Sequence, residues 1–307
     1  MHTILGANGQ IGIELAKELN KKYTSNIRLV SRNPKKVNNT DVLFSANLLH
    51  KKETEEAVKG SEIAYLTVGL PMNTKMWVDQ FSTMMRNVID ACKKHQVKLV
   101  FFDNTYMYAQ NDTPLTEESK FAPVGPKGKV RAEIANMLLA EIKSGQLEAV
   151  ICRAPEFYGP GKTQSITNEI IFNNIKNEKK LKVFIKDNTL RTLIWTPDAS
   201  KAMALIGNSP DTYNQTWHLP CDDARLTYKE FIAKASEIFG KSFKYSVVPK
   251  IAFTIGGLFN SQLKELQELL PRYKHHNIFI STKFKNRFPD FKVTTYREGI
   301  ERIKNEL

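Results

Sequence analysis

The chain opens on a short apolar strand, Thr3-Ile4-Leu5, that runs straight into Gly6-Ala7-Asn8-Gly9-Gln10-Ile11-Gly12. Apolar residues then recur at helical spacing at Ile11, Leu15, Ala16 and Leu19, and a second apolar strand follows at Ile27-Arg28-Leu29-Val30. A GxxGxxG between a strand and a helix, inside one strand-helix-strand unit, is the context a dinucleotide fingerprint requires. Each glycine has its own physical reason. Gly6 permits the tight turn, Gly9 lets the backbone approach a pyrophosphate, and Gly12 lets the helix pack close to the strand. The free N–H groups at the helix start, with the helix dipole, then face the anion. The cofactor contacts expected here are Gly6, Ala7, Asn8, Gly9, Gln10, Ile11 and Gly12. A glycine-rich turn that binds nothing is the competing reading, and the strand-turn-helix context weighs against it.

The alternation continues. Apolar strands are expected at Val42-Leu43-Phe44, Ile63-Ala64-Tyr65-Leu66, 97–102 and 147–152, with helices at 53–59, 73–94 and 129–143 between them. Strands that are apolar runs rather than alternations are buried on both faces, as in a parallel sheet. The expected fold is therefore α/β: a doubly wound parallel sheet of the Rossmann type, with right-handed crossovers and a smaller C-terminal substrate-binding lobe. Residues 1–155 form the expected dinucleotide-binding domain, with later segments returning to it. Residues 156–307 form mainly the substrate lobe and C-terminal helices, with helices near 166–177, 197–207, 227–239 and 295–305.

The tip of the second strand discriminates between dinucleotides. An acid there bonds the ribose 2′-hydroxyl of NAD. This chain reads Leu29-Val30-Ser31-Arg32-Asn33-Pro34-Lys35, with no acid. Ser31 offers a hydrogen bond and Arg32 a guanidinium for a 2′-phosphate, so NADP is expected over NAD.

Charge and cysteine usage bound the remaining classes. The 307 residues carry 45 Lys+Arg against 32 Asp+Glu, a formal net charge of +13. The basic residues are dispersed as pairs such as Lys21-Lys22, Lys51-Lys52 and Lys93-Lys94, and no nucleic-acid-binding signature accompanies them. They read as solvated surface, and no nucleic-acid partner is expected. Cys92, Cys152 and Cys221 are isolated, so neither a disulfide framework nor a zinc site is expected, and no other metal site is. Nor is a signal peptide or a membrane-spanning helix, since no apolar run reaches about 18 residues. The expectation is a cytoplasmic protein with no membrane partner.

Several further segments resemble the extended short-chain dehydrogenase/reductase family, the group of nucleotide-sugar epimerases and dehydratases. Residues 151–161, Ile-Cys-Arg-Ala-Pro-Glu-Phe-Tyr-Gly-Pro-Gly, are similar to the family's arginine…tyrosine-glycine-proline-glycine segment. Leu193-Ile194-Trp195-Thr196-Pro197-Asp198-Ala199 and Leu226-Thr227-Tyr228-Lys229-Glu230-Phe231 are similar to its later loops, in the right order. The resemblance covers essentially the whole chain. It implies further cofactor contacts at Asn47, Thr67, Val68, Gly69, Lys129 and Pro155, and a substrate phosphate near Arg191 and Lys162. It also implies a homodimer through the helix at 73–94, whose apolar Met76, Met84, Met85, Val88 and Ile89 read equally as core packing.

The catalytic pair departs from the family. Lys129 matches its lysine, but the residue four places earlier, where the tyrosine belongs, is Gly125. The place of its serine or threonine is Asn104. Losing the tyrosine removes an acid/base contribution of roughly 10²–10⁴ in rate. The resemblance leaves Lys129 on the nicotinamide ribose and Asn104 polarising a substrate oxygen. Tyr106 is the first candidate proton donor and packing its competing role, with Lys127 and Lys129 as further donors. The expected function is an NADP-binding oxidoreductase or epimerase-like enzyme acting on a small carbonyl or sugar-derived substrate. The alternative is a non-catalytic NADP-binding redox sensor of the same fold.

Overall fold

The computed structural model describes residues 1–161 and 163–307. In chain order the sheet and its crossovers are β1 (His2–Leu5), α1 (Gln10–Lys22), β2 (Ile27–Ser31), β3 (Val42–Ser45), α2 (Lys51–Val58), β4 (Ile63–Leu66), α3 (Thr74–His95), β5 (Lys98–Asp103), α4 (Gly125–Lys143), β6 (Ala149–Arg153), α5 (Thr196–Gly207) and β7 (Gln215–His218). All seven strands are parallel, in the order β7-β6-β5-β4-β1-β2-β3. The order reverses at β1, so the crevice beyond the carboxyl ends of β1 and β4 is the switch point where such sheets bind ligands.

The strands behave as unbroken apolar runs should. Every residue of β1, β4 and β6 is buried. Ile4 and Leu5 are fully covered, each contributing about 1.5–3 kcal/mol by burial. The edge strand β3 shows the contrary pattern, with Val42 and Leu43 exposed. Asn73 caps α3 by accepting from Met76 N at 2.9 Å, and Gln96 ends it in the left-handed conformation. Of the α3 residues read as dimer face or core, Met84, Met85, Val88 and Ile89 lie in the core with Leu66, Phe101 and Ile134.

The chain divides into two compact units. One comprises Met1–Met107, Pro126–Ala154 and Ala199–Leu219; the other Tyr108–Gly125, Pro155–Asp198 and Pro220–Leu307. Residue 155 is thus one of several crossings: 108–125 leaves the first unit early, and 199–219 returns to supply most of α5 and all of β7. The second unit holds α6 (Tyr228–Phe239), α7 (Lys250–Gly256), α8 (Ser261–Leu266) and α9 (Tyr296–Glu306). Two-stranded pairings accompany them, 156–158 with 193–195, 181–184 with 245–248, and 190–191 with 226–227. Its aromatic core gathers Tyr158, Trp195, Phe231 and Tyr296. The helix expected at 166–177 forms as one turn of π-helix over Asn168–Phe172 continued by one α-turn. The helices α7 and α8 were not expected from the sequence.

Candidate functional site

The glycine turn is built by the two strands beside it. Gly6 N and Ala7 N donate to Val30 O at 2.9 and 3.1 Å, and Thr67 N donates to Leu5 O at 2.9 Å. Gly6 has φ +94°, and a Cβ there would stand 2.8 Å from Val68 N and 2.9 Å from Val68 Cα. A Cβ on Gly12 would meet Ala7 Cα and Gly6 O at 2.9 Å. Both glycines are demanded by the fold itself. Gly9 is not: a Cβ there would meet only Gly6 O, at 3.4 Å. Gly9 is also the N-cap of α1, offers no side-chain cap, and is followed by no acid in the first turn. The first N–H groups of a helix lack intrahelical partners, so this end is open to an anion. Ala7 and Ile11 turn their side chains into the core, and Ile11 O accepts from Ser200 Oγ at 3.0 Å. Gly69, with nothing within 4 Å of a Cβ position, leaves similar open space past β4. This open backbone surface fits a dinucleotide.

At the tip of β2, Ser31 Oγ accepts from Asn33 N at 3.2 Å and Ser45 Oγ donates to Arg32 O at 2.8 Å. Asn8 ties the two loops together, its Nδ2 donating to Asn33 O at 2.7 Å and its Oδ1 accepting from Lys35 N at 3.2 Å. Its side chain therefore shapes the site rather than serving as a spare ligand group. The Arg32 and Lys35 side chains are exposed and unpaired among the described residues. Asn47 Oδ1 accepts from Leu49 N at 3.1 Å, and buried Thr67 donates its hydroxyl to Leu5 O at 3.1 Å.

At the carboxyl end of β5 the structure assembles a cluster that spacing could not reveal. Asp103 is buried and takes both Arg131 of α4, through Nε at 3.1 Å and through Nη2, and Arg153 of β6, through Nε at 3.2 Å. Two guanidiniums therefore share one carboxylate in the interior. Arg131 also lies over the rings of Phe81 and Phe101 at 5.2 and 5.4 Å. Asp103 Oδ1 further accepts from Asn104 N at 2.8 Å, and Asn104 Oδ1 accepts from Tyr106 N at 2.9 Å. With Oδ1 so held, Asn104 Nδ2 is left to donate elsewhere. The Tyr106 ring stacks on Trp77 at 5.9 Å and 11°, which is the packing role weighed for it. Lys129 is exposed on α4 and unpaired among the described residues. Lys127, two residues earlier, is buried, its Nζ donating to Thr74 Oγ1 at 2.6 Å.

Within the second unit, the space beside Gly125, where the resemblance places the family's tyrosine, is filled. Gly125 has φ +81°, and a Cβ there would lie 2.6 Å from Cγ, Cδ and Oε1 of Glu268. The carboxyl of Glu268 occupies the space that a side chain at 125 would enter. No sequence signal joins residues so far apart. Arg191, expected near a substrate phosphate, is committed internally. It pairs with Glu156, donates to Arg272 O at 2.9 Å and lies over the Tyr273 ring at 4.7 Å. That expectation is corrected, because a guanidinium 1% exposed and already neutralised by a carboxylate does not reach a ligand. Lys162 lies outside the described residues. Pro155 is buried at the start of this unit's second segment.

The profile of the NAD dependent epimerase/dehydratase family matches residues 2–218. Among solved structures, the chain is similar to UDP-glucuronic acid 4-epimerase from Bacillus cereus in complex with NAD, at 14% identity and TM-score 0.79, covering 99% of this chain and 97% of that one. It is similar to UDP-glucose 4-epimerase of Thermus thermophilus with NAD, at 16% identity and TM-score 0.78, covering 100% and 98%. It is also similar to UDP-glucose 4-epimerase of Thermotoga maritima with UDP-glucose, at 15% identity and TM-score 0.80, covering 100% and 98%. These likenesses establish a shared fold. An uncharacterized protein of Sinorhizobium fredii, y4nL, is 25% identical over 140 residues, which are 45% of this chain. The match spans 38% of that relative's length. No described helix is long and apolar enough to cross a membrane.

Proposed function

Because the chain belongs to the NAD dependent epimerase/dehydratase family, we propose that it is an NADP-preferring enzyme acting at a carbinol or carbonyl carbon of a sugar-nucleotide-like substrate. The observation that carries this reading is the open turn at Gly9, beside a β2 tip that lacks an acid and presents Arg32 and Lys35 unpaired. Neighbours of the same fold are described with NAD, and two of them with UDP-glucuronic acid or UDP-glucose. Those names supply the substrate class to test.

The residues take distinct roles. Backbone N–H groups at the start of α1 receive the pyrophosphate. Arg32 receives the 2′-phosphate through charge-assisted hydrogen bonds, and Lys129 the nicotinamide ribose. The bound nicotinamide supplies the acceptor and donor of a hydride. Asn104 Nδ2 donates to the substrate oxygen. Tyr106 remains the proton donor in this reading, since stacking on Trp77 engages the faces of its ring and not the hydroxyl.

Calorimetry tests the cofactor reading. NADP should bind more tightly than NAD, and Arg32→Ala should erase most of that difference, about 10- to 100-fold. Equal affinities in the unmodified protein would remove the NADP assignment. A second reading, a non-catalytic dinucleotide sensor, draws on the replacement of the tyrosine by Gly125. It predicts dinucleotide binding with no turnover of UDP-glucose or related sugar nucleotides.

A further inference from the structure

Exposed apolar residues are not scattered over this molecule. Of ten large hydrophobic side chains exposed among the described residues, five fall in thirteen consecutive positions: Val247, Ile251, Ile255, Leu258 and Phe259. Leu258 is 77% exposed and Phe259 88%. The two short helices around them form a hairpin. A Cβ on Gly256 would lie 2.7 Å from Leu263, and Gln267 Nε2 donates to Phe253 O at 3.0 Å, so the inner faces of α7 and α8 meet closely. Phe253 points inward and is buried. Asn260 starts α8 by accepting from Gln262 N and Leu263 N at 2.8 and 3.3 Å. Leu258 and Phe259 stand on the ordered turn between the helices, with Ile251 and Ile255 on the outer face of α7.

The charge on and before this tip is mainly positive, Glu265 of α8 being its one acid. Between Glu237 and Glu265 the chain carries Lys241, Lys244, Lys250 and Lys264 and no acid. All four lysines are exposed and make no ion pair among the described residues. Before α7, Asp187 accepts from the Tyr245 hydroxyl at 2.6 Å.

We propose that the α7–α8 tip adsorbs to an anionic lipid surface, Leu258 and Phe259 entering the acyl boundary while the lysines meet the headgroups. Two arguments select this occupant. A second copy would bring one lysine-bearing tip against another, in a chain already at +13. Five side chains offer on the order of a few hundred Å², below the roughly 600–800 Å² that each partner gives to a stable protein interface. Shallow apolar insertion with a cationic surround is, by contrast, what interfacial binding uses. The expectation of no membrane partner rested on the lack of a spanning stretch, and surface adsorption needs none.

Flotation of the full chain with vesicles tests this. Vesicles of phosphatidylcholine with phosphatidylglycerol should carry the protein, more weakly as salt rises, and pure phosphatidylcholine should carry little. The pair Leu258→Ser/Phe259→Ser should lower the partition about tenfold or more. Lys250→Glu/Lys264→Glu should lower it similarly, with the circular dichroism of both variants unchanged. Undiminished flotation of the serine variant, or no flotation of the unmodified protein, would overturn the proposal. A concentration-dependent dimer that the serine variant abolishes, without vesicle binding, would give the face to a second copy instead.

Discussion

The turn after β1 and the start of α4 each place a glycine at positive φ against a neighbour, yet they differ in what that neighbour is. Gly6 is pressed against the backbone of Val68, a wall that cannot move without breaking the β1–β4 ladder. Gly125 is pressed against the side chain of Glu268, which has rotatable bonds to give. The first glycine is a condition of the fold. The second is a vacancy filled by another residue. A second contrast lies within the turn itself, where Gly6 and Gly12 answer to the chain but Gly9 has room to spare and is the proposed point of approach for a ligand.

The largest expected effect bears on the charged cluster at the end of β5. Asp103→Ala leaves two buried guanidiniums facing each other and should cost about 3–5 kcal/mol in urea unfolding. A loss below about 1 kcal/mol would mean that water reaches the cluster. Gly6→Ala comes next, since strain at φ +94° and the clash with Val68 together should cost about 3 kcal/mol. Gly125→Ala should cost about 1–3 kcal/mol, and part of that loss should vanish in a Glu268→Ala background, leaving the backbone strain. Strict additivity of the two changes would show that Glu268 does not sit in the slot at 125. The smallest effect on stability belongs to Gly9→Ala, expected within about 0.5 kcal/mol of the parent, while dinucleotide affinity falls tenfold or more. If stability and affinity fell together, the distinction between the glycines of the turn would collapse.

The same contrast explains what the amino-acid order revealed. The Gly6–Gly12 turn, β2, β4, β5 and the helix at 73–94 follow from local periodicity, because a parallel sheet buries each strand on both faces and leaves an unbroken apolar run. That later segments return to the first domain was expected, but 215–218 could not be singled out as the edge strand, since Gln215-Thr216-Trp217-His218 has no such run. Asp103 lies 28 residues from Arg131 and 50 from Arg153, and the three meet only because β5, β6 and α4 are neighbours. Arg191 read as an available cation because its commitment to Glu156 and Tyr273 depends on pairings that no spacing encodes. The hairpin of α7 and α8 escaped notice because helices of seven and six residues are too short for periodicity to register.

The two hydrogen bonds of Asn8 carry a consequence for how a ligand is met. They lash the glycine turn to residues 33–35, so the two proposed subsites for one half of a dinucleotide are held in mutual register by a side chain that is already satisfied. Little ordering of the loops is left for the ligand to drive. An adenosine fragment bearing the 2′-phosphate and a 5′-diphosphate should therefore retain most of the affinity of that half of the dinucleotide. Asn8→Ala should weaken such a fragment through a slower, less favourable capture rather than through the loss of any atom that touches it.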